Sequence, residues 1–164
     1  MEEMASKKVI PLFESIPPSA RRNRALRDRK KTLRGRIEEY YQVAGMRKVA
    51  LAVDDDSVFV ELLWEVLRHR CDVIVAFNGL EAIEAYLRWR EHIDLIVTGL
   101  VMPIMDGDEL AARVRRVDLD LPIIVVSGCY EKLDLLKKRD DLVTMRKPFT
   151  VRDLEDAVDS CLRR

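Results

Sequence analysis

The chain has few of the residues from which stapled or metal-centred sites are built. Its 164 residues include three cysteines, Cys71, Cys129 and Cys161, and two histidines, His69 and His92. The cysteines are odd in number, far apart and never in a Cys-x-x-Cys pair. That argues against a disulfide framework or a zinc site and points to a reducing compartment. The histidines share no metal-ligand spacing and read as surface or helix-end residues. No glycine-rich loop that could cradle a phosphate is visible, and no nucleophile–base pair, so a conventional enzyme is the least supported class. No apolar run approaches the length needed to cross a bilayer. Residues 9–13 are too short an apolar stretch for a secretory signal, so a cytoplasmic location is expected.

Net charge is absent as well, with 29 Lys/Arg against 29 Asp/Glu, but the balance conceals an asymmetry. Residues 1–48 hold 13 basic and 6 acidic residues, or +7; the remaining 16 and 23 give −7. Opposite-signed segments suggest two functional parts, here residues 1–46 and 47–164. With 48% apolar and 35% charged residues, the profile is that of a globular protein with one well-packed domain and a short appendage.

In the appendage, Pro17-Pro18 breaks the chain and Ser19 can cap a helix over about 20–44. Nine basic residues fall within 21–36: Arg21, Arg22, Arg24, Arg27, Arg29, Lys30, Lys31, Arg34 and Arg36. Leu26, Leu33, Ile37, Tyr40 and Tyr41 form a narrow apolar stripe. Such a helix can neutralise a phosphate backbone, lie on an anionic membrane, or pack on protein, its own globular domain or a second copy included. No helix-turn-helix pattern accompanies it.

From residue 49 short apolar runs alternate with amphipathic segments. Strands are predicted at 49–53, 73–77, 95–98, 122–126 and 142–145, each continuous enough to be buried on both faces. Between them the spacing predicts helices. The first, over 57–69, has Phe59, Leu62, Leu63, Val66 and Leu67 inward. The second is capped by Asn78 with Glu81 as reciprocal partner, and buries Leu80, Ile83 and Leu87. The third starts at Asp106 or Asp108 and uses Leu110, Ala111, Val114 and Val117. A short helix over 130–139 uses Leu133, Leu135 and Leu136. Thr150, with Asp153 at the capping-box position, opens a last helix through Leu154, Val158 and Leu162. The fold class is α/β: a doubly wound five-stranded parallel sheet preceded by a basic helical extension. Its site is expected at the carboxyl ends of the strands, at the switch in strand order. Asp54-Asp55-Asp56, Gly99, Ser127 and Lys147 all fall at such ends.

These residues, with Met102-Pro103-Ile104-Met105-Asp106-Gly107 after Gly99, Gly128 after Ser127 and Pro148 after Lys147, resemble the receiver domain of bacterial response regulators. The resemblance covers 47–164 and implies the flavodoxin-like strand order 2-1-3-4-5. It implies that Asp54 and Asp55 match an acidic Mg²⁺-binding pair, that Val101 supplies a backbone ligand, and that Asp56 begins the helix. Ser127 and Lys147 match the groups that contact a phosphoryl group. Gly99 matches the phosphoaccepting aspartate, so both nucleophile and one metal ligand are missing. Mg²⁺ binding is then weakened, and Lys147 is expected in a permanent ion pair with Asp54 or Asp55. Thr144 stands where the family has its aromatic switch.

The leading expectation is therefore a non-enzymatic, two-component-type signalling adaptor, a pseudo-receiver that contacts a histidine kinase or downstream effector without phosphorylation, possible as a homodimer. Two alternatives stay open: a conventional receiver whose native residue 99 is aspartate, and a nucleic-acid-associated regulator acting through the basic helix.

Overall fold

In the computed structural model, which describes residues 47–163, five strands and five helices alternate along the chain. The strands are β1 (Lys48–Val53), β2 (Cys71–Ala76), β3 (Ile93–Gly99), β4 (Ile123–Ser127) and β5 (Val143–Arg146). The helices are α1 (Ser57–Leu67), α2 (Gly79–Trp89), α3 (Gly107–Arg115), α4 (Tyr130–Leu136) and α5 (Val151–Leu162). All strand pairs are parallel and the spatial order is β2-β1-β3-β4-β5, as anticipated. The basic stretch 21–36 and the helix expected over 20–44 lie outside the described residues.

The continuous apolar runs are explained by their placement. β1, β3 and β4 are interior strands covered by helices on both faces, so successive side chains are all buried whichever way they point. Ala50, Ala52, Leu95, Val97, Ile124 and Val126 line one face and pack against Phe59, Leu63, Leu67, Leu154 and Val158. β5 lies at the edge of the sheet and is only partly buried.

Helix starts follow the capping chemistry. The Asp56 carboxylate accepts from Val58 N and Phe59 N, Asn78 Oδ1 from Glu81 N, and Asp106 Oδ1 from Glu109 N. Thr150 and Asp153 form a full capping box. Each satisfies helix-terminal N–H groups that no carbonyl can reach.

Helix faces depart from expectation in four places. Leu62 on α1 is exposed, and Val60 takes the inward position. On α2, Leu80 and Leu87 are 41% and 55% exposed, because the buried arc runs through Gly79, Ala82, Ile83 and Tyr86. That arc keeps helical spacing but is rotated toward the larger aromatic body, which is only 1% exposed. Val117 lies beyond the end of α3 and is exposed, and Leu135 points outward from α4. His69 and His92 fall just after α1 and α2, as expected of helix-end residues.

Candidate functional site

The switch in strand order lies between β1 and β3, and the loops at their carboxyl ends form the site. Asp54 follows β1 directly and is buried at 4% exposure. Its Oδ1 accepts from Asp56 N at 3.0 Å, and its Oδ2 accepts from the Lys147 ammonium at 3.4 Å. Burial pushes the Asp54 carboxyl above the ordinary aspartate range; the Asp56 N–H and the Lys147 charge pull the other way but do not cancel it. Asp55 is exposed, and Asp56 is spent on the α1 cap.

Gly99 ends β3, opposite Val126 of β4. A Cβ added there would run into Asp54 Oδ2 and lie 3.0 Å from Asp54 Cγ. The Asp54 carboxylate thus lies over Gly99, in space that a side chain at 99 would need. Thr98 is fully buried and its hydroxyl donates to Gly99 O at 2.9 Å, so it offers no substitute group to the site. After Gly99 the chain passes through Val101, 53% exposed, and then Ile104 at φ 70. Met105 N donates to Pro103 O at 2.8 Å across Ile104, which makes a tight three-residue turn. Gly107 N donates to Leu100 O at 2.8 Å, and a Cβ on Gly107 would collide with Gly99 O. Here the Asp-Gly of the loop is a packing requirement, because the start of α3 rests directly on the Gly99 backbone.

Ser127 ends β4, is buried, and its Oγ accepts from Cys129 N at 3.0 Å. Lys147 follows β5 in a cis peptide with Pro148, and its N–H donates to Ser127 O at 2.9 Å. The Lys147 ammonium lies 3.3 Å from the centroid of the Phe59 ring, which in turn meets Phe149 edge to face at 6.0 Å. Lys147 is therefore held between a carboxylate and an aromatic face. Phe59 was legible in the sequence only as a core residue of α1; nothing in its spacing marks it as a lysine contact.

Thr144 is half-buried in β5, paired with Val125. The face beside it is tied by side chains the sequence did not single out. Tyr130 Oη donates to Lys147 O at 3.1 Å, and the Arg146 guanidinium stacks on the Tyr130 ring at 5.1 Å. Arg146 also pairs with Asp134 at 2.6 Å. At the other end of α4, Arg139 bridges Asp141 and Asp108, and Arg115 holds Asp141 as well.

Asp54, Gly99, Ser127 and Lys147 are thus brought to one edge of the sheet. A hard divalent cation needs several oxygens around one point. The third carboxylate is replaced by hydrogen, both Asp54 oxygens are engaged, and the Asp54 carboxylate lies over Gly99. Among the described residues no group of three or more His, Cys, Asp or Glu side chains could hold a metal. The residues present do not fit Mg²⁺.

A five-stranded parallel sheet of order 2-1-3-4-5 with an acidic residue, a hydroxyl and a lysine at its carboxyl edge defines a receiver-type protein. Comparison with known families agrees: the response regulator receiver domain matches residues 50–159, and the chain belongs to that family. It is 36% identical over 124 residues to the alkaline phosphatase synthesis transcriptional regulatory protein PhoP of Bacillus subtilis, covering 73% of this chain and 50% of that protein. It is 32% identical over 120 residues to the chemotaxis protein CheY of Halobacterium salinarum, covering 71% of this chain and 98% of that one. Among solved structures, a receiver domain protein from Clostridium thermocellum superposes with a TM-score of 0.66 at 22% identity, over 71% of this chain and 95% of that chain. The chain therefore spans half of the Bacillus regulator and nearly all of the archaeal one.

Proposed function

We propose that this chain is a pseudo-receiver, a phosphorylation-independent protein-interaction module in two-component-type signalling. The observation that carries this reading is the state of position 99: it has no carboxylate, and its space is taken by Asp54, itself paired with Lys147. A carboxylate nucleophile is what a receiver uses to take a phosphoryl group, and glycine offers none. Asp54, Asp55 and Val101 are in this reading remnants of a metal site, and Ser127, Lys147 and Thr144 remnants of a phosphoswitch. The domain has no catalytic group of its own and serves as a fixed surface for a histidine kinase or downstream effector, in a bacterial cytoplasm. No helix among the described residues is long and apolar enough to cross a membrane. The basic residues 21–36 supply a second contact, to a polyanion or to another protein copy.

The test is the amide NMR spectrum before and after adding beryllofluoride with Mg²⁺, a mimic of the phosphoryl group on aspartate. An unchanged spectrum here, with shifts in Gly99→Asp, supports the reading. Shifts of pocket resonances in the unaltered chain contradict it.

A further inference from the structure

We infer that Gly99 acts as a steric key: its missing side chain admits the Asp54 carboxylate onto the end of β3, where Asp54 and Lys147 close the site from within. The inference deepens the proposed function, since it assigns the site a single closed state.

Three observations meet at this point. First, any Cβ at 99 would overlap Asp54 Oδ2, so the present position of Asp54 depends on glycine. Second, the backbone does not require glycine. Gly99 is a strand residue whose φ lies outside the left-handed region. Ordinary conformational reasoning therefore predicts that alanine is tolerated or stabilising, through a less flexible unfolded chain. Third, the carboxylate so placed is held by its neighbours, with Asp56 N on one oxygen and the Lys147 ammonium on the other. Lys147 is itself seated on Phe59. Its positive charge partly offsets that of the buried Asp54 carboxylate.

The experiment is a double-mutant cycle on the full chain, combining Gly99→Ala with Asp54→Ala and reading thermal midpoints and the rate at which Lys147 is acetylated by an amine-reactive ester. With Asp54 present, Gly99→Ala should lower Tm by about 5 °C and speed Lys147 labelling several-fold, because the added methyl displaces the carboxylate. With Asp54→Ala, the same substitution should leave Tm unchanged or raise it. A rise in both backgrounds with unchanged labelling overturns the inference. If Gly99→Ala fails to fold while the double variant folds, the steric coupling is supported; failure of both overturns it. In a third arm the unaltered chain is titrated with Mg²⁺ alone: a flat Tm is expected, and a saturable rise overturns the closed state. None of these readouts involves a phosphodonor, so they stand or fall apart from the proposed function.

Discussion

Replacing Lys147 with alanine tests how the closed site is held. The ammonium contributes an ion pair to a buried carboxylate and a cation–π contact with Phe59. Losing one partner of a fully buried pair costs about 3–5 kcal/mol. Here the 3.4 Å separation and a lysine side chain 32% exposed call for a discount to about 1 kcal/mol. The contact with the ring adds about 1 kcal/mol. A loss of about 2 kcal/mol is expected near neutral pH, or a Tm lower by about 8 °C for a domain of this size. The pH dependence is more diagnostic. Asp54 is raised above its unfolded value, so its contribution to stability is fully present below the unfolded value and lost as pH rises through the folded one. Removing the ammonium raises Asp54 further and deepens that loss at neutral pH. The penalty of Lys147→Ala should therefore be largest near pH 7 and shrink as the pH falls and Asp54 takes up its proton. Urea titrations of both proteins across that interval measure it. A penalty below about 0.3 kcal/mol at neutral pH, or one that stays constant down to about pH 4, would refute the buried-pair account.

Two further substitutions probe the loop between β3 and α3. Gly107→Ala should destabilise by about 2–4 kcal/mol in chemical denaturation, because its Cβ meets the rigid Gly99 carbonyl rather than a mobile side chain. Ile104→Gly should stabilise by about 0.5–1 kcal/mol in the same assay. A β-branched residue at φ 70 with 75% of its surface exposed carries a left-handed penalty and little packing in return. A neutral Ile104→Gly would show that the added flexibility of the unfolded chain cancels the relief.

How much of this was legible in the sequence depends on the distance over which each feature is decided. Strands buried on both faces announce themselves as runs such as Val49-Ala50-Leu51-Ala52-Val53, because no alternation with polar residues is needed. Caps are equally local: Asp56, Asn78, Asp106 and Thr150 act on N–H groups two or three residues away. The site could be placed because the carboxyl ends of parallel strands converge in any doubly wound sheet, which brought Asp54, Gly99, Ser127 and Lys147 together. Helix faces were less legible. Leu80 and Leu87 share a face seven residues apart and look like a core stripe, yet Ala82 and Tyr86 define the buried arc. Leucine identity alone does not say which side the sheet lies on. Least legible were contacts fixed only by the tertiary fold. The overlap of Asp54 with the space beside Gly99 joins residues 45 apart in the chain, and the seat of Lys147 on Phe59 joins residues 88 apart. The Tyr130–Arg146–Asp134 ties across α4 and β5 belong to the same class.

The central claim is that the receiver scaffold persists without its phosphoaccepting chemistry. Its most direct test is the intact mass of the full chain after incubation with Mg²⁺ and a small phosphodonor, beside Gly99→Asp treated in the same way. No phosphoryl adduct on the unaltered chain is predicted, since neither Gly99 nor the engaged, buried Asp54 offers a free nucleophile. A mass gain of one phosphoryl group on the unaltered chain, labile to hydroxylamine as an acyl phosphate is, would contradict it.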